Sequence, residues 1–270
     1  LLFQFYGANR TGRWSSRMIQ LQNLPQNHMK DLDLARSMVE KGDYDLIEMC
    51  YGNIPDVLSE LIRTAFIAPE GKMFAVADFS AIEARVLSWL AQEKWRLDVF
   101  NTHGKIYEAS ASLMFGVPIE QVTKGSDLRQ RGKTAELALG YEGSVNAMEK
   151  MDKEKKLSKK EMYSIVALWR RANPKIVEFW AEVNEKAIEC VQTRKTKKVS
   201  CLVFEHDGIN LTIALPAGRK LYYRNPRVRS NRFGQIGIVY DGMVQSVGWT
   251  EVETYGGKLV ENIVQAISRD

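Results

Sequence analysis

The hydrophobic period of this chain turns from helical to two at Val199, and that switch limits the fold more than any other feature. Upstream, apolar residues recur at helical spacing over about 32–39, 56–64, 105–115, 126–139, 160–171 and 174–192, the last opening on Pro174, which a helix tolerates at its first position. From Val199 the period is two. Runs at Val199 to Phe204, Ile209 to Leu215, Lys220 to Tyr223, Gln235 to Tyr240 and Met243 to Trp249 are separated by Asp-Gly or Pro-Ala-Gly turns and read as hairpins. Helices and hairpins therefore occupy separate blocks of the chain.

Two elements in the helical half carry chemistry. Lys72 to Ala77 is a short apolar run ending in Asp78, which predicts a buried strand presenting a carboxylate at its C-terminal end. Helical spacing begins at Ser80, with Ile82, Val86, Trp89 and Leu90 on one stripe, and Ser80 with Glu83 fits a capping box. A carboxylate at that junction can hold Mg²⁺, which keeps several waters and prefers one or two carboxylates plus substrate phosphates. It can equally cap the helix, since Asp and Ser are common at such junctions.

The second element is a helix expected from Gly125, Ser126 and Asp127 to Leu139. Arg129, Lys133, Leu137 and Tyr141 recur every four residues, a slowly drifting row roughly 18 Å long. That row is the length of a nucleoside triphosphate, with Arg129 and Lys133 for phosphates and Leu137 as an apolar surface for a base. An amphipathic helix with a solvated basic face would show the same spacing.

Together the two elements resemble motifs A and B of the family A DNA polymerases, the bacterial DNA polymerase I family and its phage relatives. Thr11 to Ser16 followed by Leu21 to Pro25 is similar to the segment that precedes motif A in that family, Ile62 to Gly71 to the lead-in to its motif A strand, and Tyr255 to Ala266 to its long palm helix. The order is kept over nearly the whole chain, with phage-type members the nearest in pattern.

The resemblance implies an α+β fold: a right-hand polymerase palm, an antiparallel sheet with helices, plus a mainly helical fingers subdomain. It divides the chain into a first palm part at 1–90, helical fingers at 91–197, and hairpins with the long palm helix at 198–270. It implies template-directed nucleotidyl transfer from a dNTP to a primer 3′-hydroxyl, with primer-template DNA and dNTPs as partners and Mg²⁺ as cofactor. Asp78 and the Phe79 carbonyl would be the metal ligands and Glu83 the steric gate against a ribose 2′-hydroxyl, with Arg85 supporting that region. Arg129 and Lys133 would contact the triphosphate, Lys133 could also donate a proton to the departing pyrophosphate, and Tyr141 would stack near the nascent pair. Tyr107 occupies a place near the phosphates. Arg13, Gln22 and Asn23 would contact the duplex near the primer end, positioning it without reading its sequence. Such chemistry asks for in-line positioning and charge stabilisation, with two metals about 3.5–4 Å apart clamping the attacking and leaving oxygens.

Two features depart from the family pattern, Leu137 and a missing hairpin, and the helix also carries a glycine. Leu137 stands where an aromatic residue is usual, and Gly132 costs its helix roughly 1 kcal/mol against alanine. The His-Asp-Glu hairpin that follows the long palm helix is missing, since the chain stops at Asp270. Glu205, His206, Asp207 and Gly208 precede that helix and read as a hairpin turn. Two alternatives therefore stand beside the polymerase fragment: a catalytically incomplete DNA- or nucleotide-binding fragment, and a relative of the single-subunit RNA polymerases, which Glu83 disfavours.

The rest of the chain is compatible. Among 270 residues, 38 Lys and Arg against 33 Asp and Glu give a formal charge of +5, which favours a polyanionic partner. Cys50, Cys190 and Cys201 have no paired or metal spacing, and His28, His103 and His206 are scattered, so a reducing cytoplasmic setting is expected, the host cytoplasm for a phage protein. No apolar run approaches the roughly 20 residues of a membrane span, and no signal peptide is visible. The opening at Leu1 without an initiator methionine is expected to mark a chain cut at both ends, with a thumb and any exonuclease domain upstream. The sequence carries no indication of oligomeric state. The stretch Arg219 to Arg232, with Tyr222, Tyr223 and Phe233 interleaved, suits either a nucleic-acid surface or an ordinary surface hairpin.

Overall fold

The computed structural model describes residues 3–18, 23–25, 27–152, 157–230, 236–244 and 247–270. Gln22, Arg232 and Phe233 lie outside them, as does part of the charged stretch between Lys150 and Lys160. Contacts divide the chain into two units, Leu1–Gly7 with Trp14–Phe79, and Ala8–Arg13 with Ser80–Asp270.

The first unit holds a two-stranded ribbon, β1 (Phe3–Gln4) and β2 (Ser15–Ser16), and three helices, α1 (Leu32–Lys41), α2 (Tyr44–Tyr51) and α3 (Ile54–Leu61). Ala35, Met38, Ile47 and Val57 form its small core. α1 ends on Gly42 in the left-handed conformation, and Asp43 then caps α2 by accepting the Leu46 N–H. The apolar run at 72–77 is not the buried strand its composition suggests. It forms neither helix nor strand and pairs with no strand among the described residues, and Met73, Phe74 and Val76 are exposed. Apolar alternation supplies a strand's side chains but not its hydrogen-bonding neighbour, and without one no ladder forms.

The second unit contains α4 (Ile82–Ala91), α5 (Lys94–Thr102), α6 (Ile106–Phe115), α7 (Asp127–Leu139), α8 (Val145–Met151), α9 (Lys159–Ala172) and α10 (Pro174–Thr193). The strands β3 (Lys197–Val199), β4 (Leu202–His206), β5 (Asn210–Ala214), β6 (Lys220–Ser230), β7 (Ile236–Val244) and β8 (Gly248–Thr254) follow, and α11 (Gly256–Arg269) closes the unit. The α+β expectation holds. The strands form one antiparallel meander in sequence order, and α10 lies across its inner face, touching β3 to β7. Phe204, Leu211, Ile213, Leu221, Tyr223, Ile238 and Tyr240 are buried there, in a core continuous with Leu87, Leu139, Trp169, Trp180 and Ile263. The Trp169 and Trp180 rings stack at 6.0 Å. Asp207 and Gly208 form the β4 to β5 turn, as their sequence predicts, with Asp207 accepting the Ile209 and Asn210 N–H groups.

The proposed capping box does not form. Ala81, at the N-cap of α4, is in the left-handed conformation with no side-chain cap, and Trp89 on the expected apolar stripe is exposed while Leu87 is buried. Gly132, the apparent flaw in α7, is explained by packing: a Cβ there would collide with the Tyr107 carbonyl of α6. Gly257 likewise lets the first turn of α11 press against Tyr141 and Glu142, whose carboxylate accepts the Gly257 N–H at 2.9 Å. Among the described residues, no helix is long and apolar enough to cross a membrane.

Candidate active site

Helix α7 begins where its sequence predicts, with the Ser126 hydroxyl accepting the Arg129 N–H. Its outward row is chemically uneven. Arg129 donates through Nε to Glu108 Oε1 at 2.6 Å, and its guanidinium lies 5.6 Å from the centre of the Tyr107 ring. Lys133, one turn on, is half-buried and has no hydrogen bond or ion pair among the described residues. Leu137 is 51% exposed, and Tyr141 follows just past the helix end. Among the described residues the row therefore presents one committed cation, one free cation and an apolar surface, in that order.

The inward side of the same helix is pinned. Arg96 and Glu136, with side chains 1% and 3% exposed, form a two-pronged ion pair, Nη1 to Oε1 at 2.9 Å and Nη2 to Oε2 at 2.5 Å. Arg96 also donates to the Ser88 hydroxyl and to Oδ1 of the Asn173 side chain, and the Trp169 indole N–H donates to Glu136. One buried cluster thus ties α4, α5, α7 and α9 together and fixes which face of α7 points out. Arg96, Glu108 and Glu136 escape sequence reading because nothing local marks them.

Glu83 is a second focus. Arg13 donates through Nη1 to its Oε1 at 3.0 Å, and the Tyr141 hydroxyl donates to its Oε2 at 3.0 Å. Arg13, Glu83 and Tyr141, three separately predicted residues, are therefore brought into direct contact. Burial pushes the Tyr141 phenol well above its ordinary range, and the Glu83 charge adds to it. Burial and then the Glu136 charge push Tyr107 up as well. Burial of Glu108 opposes its charged form, but the Arg129 hydrogen bond and charge outweigh it and hold the carboxyl below the usual range. Arg85 donates to the Ser80 carbonyl at 3.0 Å and lies over the Phe100 ring, steadying the start of α4.

Asp78, Phe79 and Asn23 belong to the first unit. Asp78 is exposed with no hydrogen bond or ion pair among the described residues, so both carboxylate oxygens are open. No group of three or more His, Cys, Asp or Glu able to hold a metal ion occurs among the described residues. A lone carboxylate beside a backbone carbonyl does not make a closed cage. It does fit Mg²⁺ delivered with substrate phosphates and water, which needs only one or two protein carboxylates.

The basic stretch on β6 is largely spent internally. Arg227 pairs with Asp241 and Glu251, Arg229 with Glu251, and Arg219 with Asp270, while Tyr223 is fully buried.

A family model described as DNA polymerase family A matches residues 6–205. The chain is 54% identical over 272 residues to the DNA polymerase of Bacillus phage SP02, a match spanning 100% of this chain and 42% of that protein. It is 33% identical over 169 residues to the thermostable DNA polymerase I of Thermus aquaticus, covering 63% of this chain and 16% of the relative. Among solved structures, the POL domain of Pol1 from M. smegmatis in complex with DNA primer-template and dNTP superposes with a TM-score of 0.52 at 20% identity, covering 98% of this chain and 33% of that one. The chain thus spans less than half the length of the phage polymerase it matches.

Proposed function

The chain belongs to DNA polymerase family A, and from that premise we propose that it supplies part of the palm (1–90), the helical fingers (91–197) and the hairpins with the long palm helix (198–270) of an enzyme that transfers nucleotides from dNTPs to a primer 3′-hydroxyl. The observation that carries this reading is Lys133: an ammonium without a hydrogen bond or ion pair among the described residues, on the outward row of α7, one turn from Arg129 and one turn from an exposed apolar residue. A triphosphate is a polyanion attached to an apolar base, and this row offers a complement to both ends.

In this reading Lys133 meets the phosphates first, and Arg129 joins through the guanidinium N–H groups that its Nε bond to Glu108 leaves over. Both offset charge that builds on the leaving pyrophosphate, where stabilisation counts most. Lys133 Nζ can pass a proton to the leaving oxygen. Leu137 supports the base, Tyr107 flanks the phosphate end, and Tyr141 stacks near the nascent pair. Glu83, held from two sides, stands as a fixed bulky group against a 2′-hydroxyl. Asp78 and the Phe79 carbonyl are the assigned Mg²⁺ ligands, and bound Mg²⁺ would lower the barrier by activating the primer hydroxyl and neutralising phosphate charge. Arg13, Gln22 and Asn23 hold the primer-template duplex by backbone and minor-groove contacts. Such an enzyme acts in the cytoplasm, the host's where the gene is a phage's.

A second reading, a fragment that binds nucleotide and DNA without turnover, is favoured by one observation: among the described residues Asp78 belongs to no group of three or more His, Cys, Asp or Glu that could hold a metal ion. Primer extension and dNTP binding by this chain with Mg²⁺ separate the two. Extension abolished by Asp78→Ala, with dNTP binding weakened by Lys133→Ala, supports catalysis. Lys133-dependent binding without extension supports the binding fragment. Binding indifferent to Lys133→Ala sinks both.

A further inference from the structure

Arg10 lies in the short turn 8–13, which belongs with the larger unit although 73 residues of the other unit flank it in sequence. Its guanidinium carbon sits 4.4 Å from the centre of the Tyr223 ring and 4.4 Å from that of Tyr240, and Nη1 donates to the Tyr222 carbonyl at 2.9 Å. The two rings meet edge to face at 5.1 Å, and Tyr223 is fully buried, with its hydroxyl accepting from Asn262 of α11. The cation is therefore gripped by rings that cannot move without disturbing the sheet and α11. Arg219 holds the same turn by donating to the Thr11 carbonyl at 3.0 Å while pairing with Asp270.

The turn closes on itself, with the Gly12 N–H donating to the Ala8 carbonyl and the Ala8 N–H to the Arg13 carbonyl, and the residue it ends on is Arg13, which reaches Glu83. A continuous line of contacts thus runs from the inner face of the sheet through Arg10, the turn and Arg13 to Glu83 and Tyr141. We propose that Arg10 is a positioning residue for the nucleotide site: clamped between Tyr223 and Tyr240, it makes the six-stranded sheet a brace that holds Arg13 against Glu83. The role of Glu83 as a gate rests on the function proposed above. The brace itself rests only on contacts within one unit.

The test is the ratio of dATP to ATP affinity, measured by titration calorimetry on this chain with primer-template duplex and Mg²⁺. Arg10→Ala is expected to lower the ratio about tenfold, the scale of a desolvated cation–π pair. Arg10→Lys should restore part of it, and Tyr240→Leu should lower it while keeping apolar bulk. In an Arg13→Ala background, Arg10→Ala should cause no further loss, because its effect travels through Arg13. An unchanged ratio in Arg10→Ala, or an equal loss with Arg13 absent, overturns the proposal. If wild-type binding ignores Lys133→Ala, the nucleotide reading fails on its own, and amide exchange then decides the brace. Faster exchange at Ala8 and Gly12 in Arg10→Ala, with β5 to β7 still protected, supports it, and unchanged exchange overturns it.

Discussion

The Tyr141 hydroxyl donates to Glu83 Oε2 at 3.0 Å, so the residue that ends the α7 row is joined directly to the carboxylate in the first turn of α4. Arg13 occupies the other oxygen of the same carboxylate. Glu83 is thereby oriented by a neutral donor on one side and a cation on the other, and its rotamer is set by contacts from outside its own helix.

Tyr141→Phe removes one donor and keeps the ring. It should cost about 1 kcal/mol at neutral pH, the usual worth of such a bond. The sign of its pH dependence follows from the raised phenol. In the unfolded chain Tyr141 ionises near its ordinary value of 10.0, whereas the folded chain keeps the proton to higher pH. The stabilisation is therefore complete below pH 10 and lost as pH rises above it. Urea titrations from pH 8 to 11 should show the wild type losing stability above pH 10, with Tyr141→Phe flattening that slope by up to about 1.4 kcal/mol per pH unit.

Glu108 holds Arg129 through Nε alone, at 2.6 Å with side chains 26% and 15% exposed, so an anion arriving at the remaining guanidinium N–H groups meets a carboxylate whose charge offsets the cation. Glu108→Gln should therefore tighten binding of inorganic tripolyphosphate, by about fivefold for a pair worth about 1 kcal/mol. Calorimetry with that ion reads this directly, and the gain should vanish in Arg129→Ala.

Asp207 is held well below its ordinary carboxyl range, at about 2, by the Asn210 side chain and by the Asn210 and Ile209 backbone N–H groups. A depressed carboxyl stabilises the fold above its unfolded value of 3.8, and that contribution fades as pH falls toward 2. Carboxyl-carbon NMR should find the Asp207 midpoint near 2 and see it move toward 3.8 in Asn210→Ala.

What was legible in the sequence was local. α7 starts and ends where its cap and spacing place it because both signals lie within the helix, and the Asp207 turn is set by a residue bonding to its own next neighbours. The expected strand at 72–77 failed because pairing requires a distant partner that alternation cannot name. The capping box at Ser80 and Glu83 failed for a related reason: Glu83 has stronger partners in Arg13 and Tyr141 than an exposed backbone N–H offers. The Arg10 clamp joins residues 212 apart and was invisible for that cause, although Gly132 did announce, as an anomaly, the close approach of α6 to α7.

The cluster behind α7 gives the largest stability prediction. Arg96→Ala leaves the Glu136 carboxylate buried without its cation, a change that should cost about 3–5 kcal/mol. Replacing both partners with apolar residues, Arg96→Met with Glu136→Leu, removes the orphaned charge and should recover part of that loss. Recovery stays incomplete because the Trp169 indole and the Asn173 amide lose their partners as well. Urea unfolding of the wild type, Arg96→Ala, Arg96→Met, Glu136→Leu and the Arg96→Met, Glu136→Leu double variant measures the coupling. If the double variant is no more stable than Arg96→Ala, hydrogen bonding to the tryptophan and asparagine, rather than charge compensation, dominates the cluster.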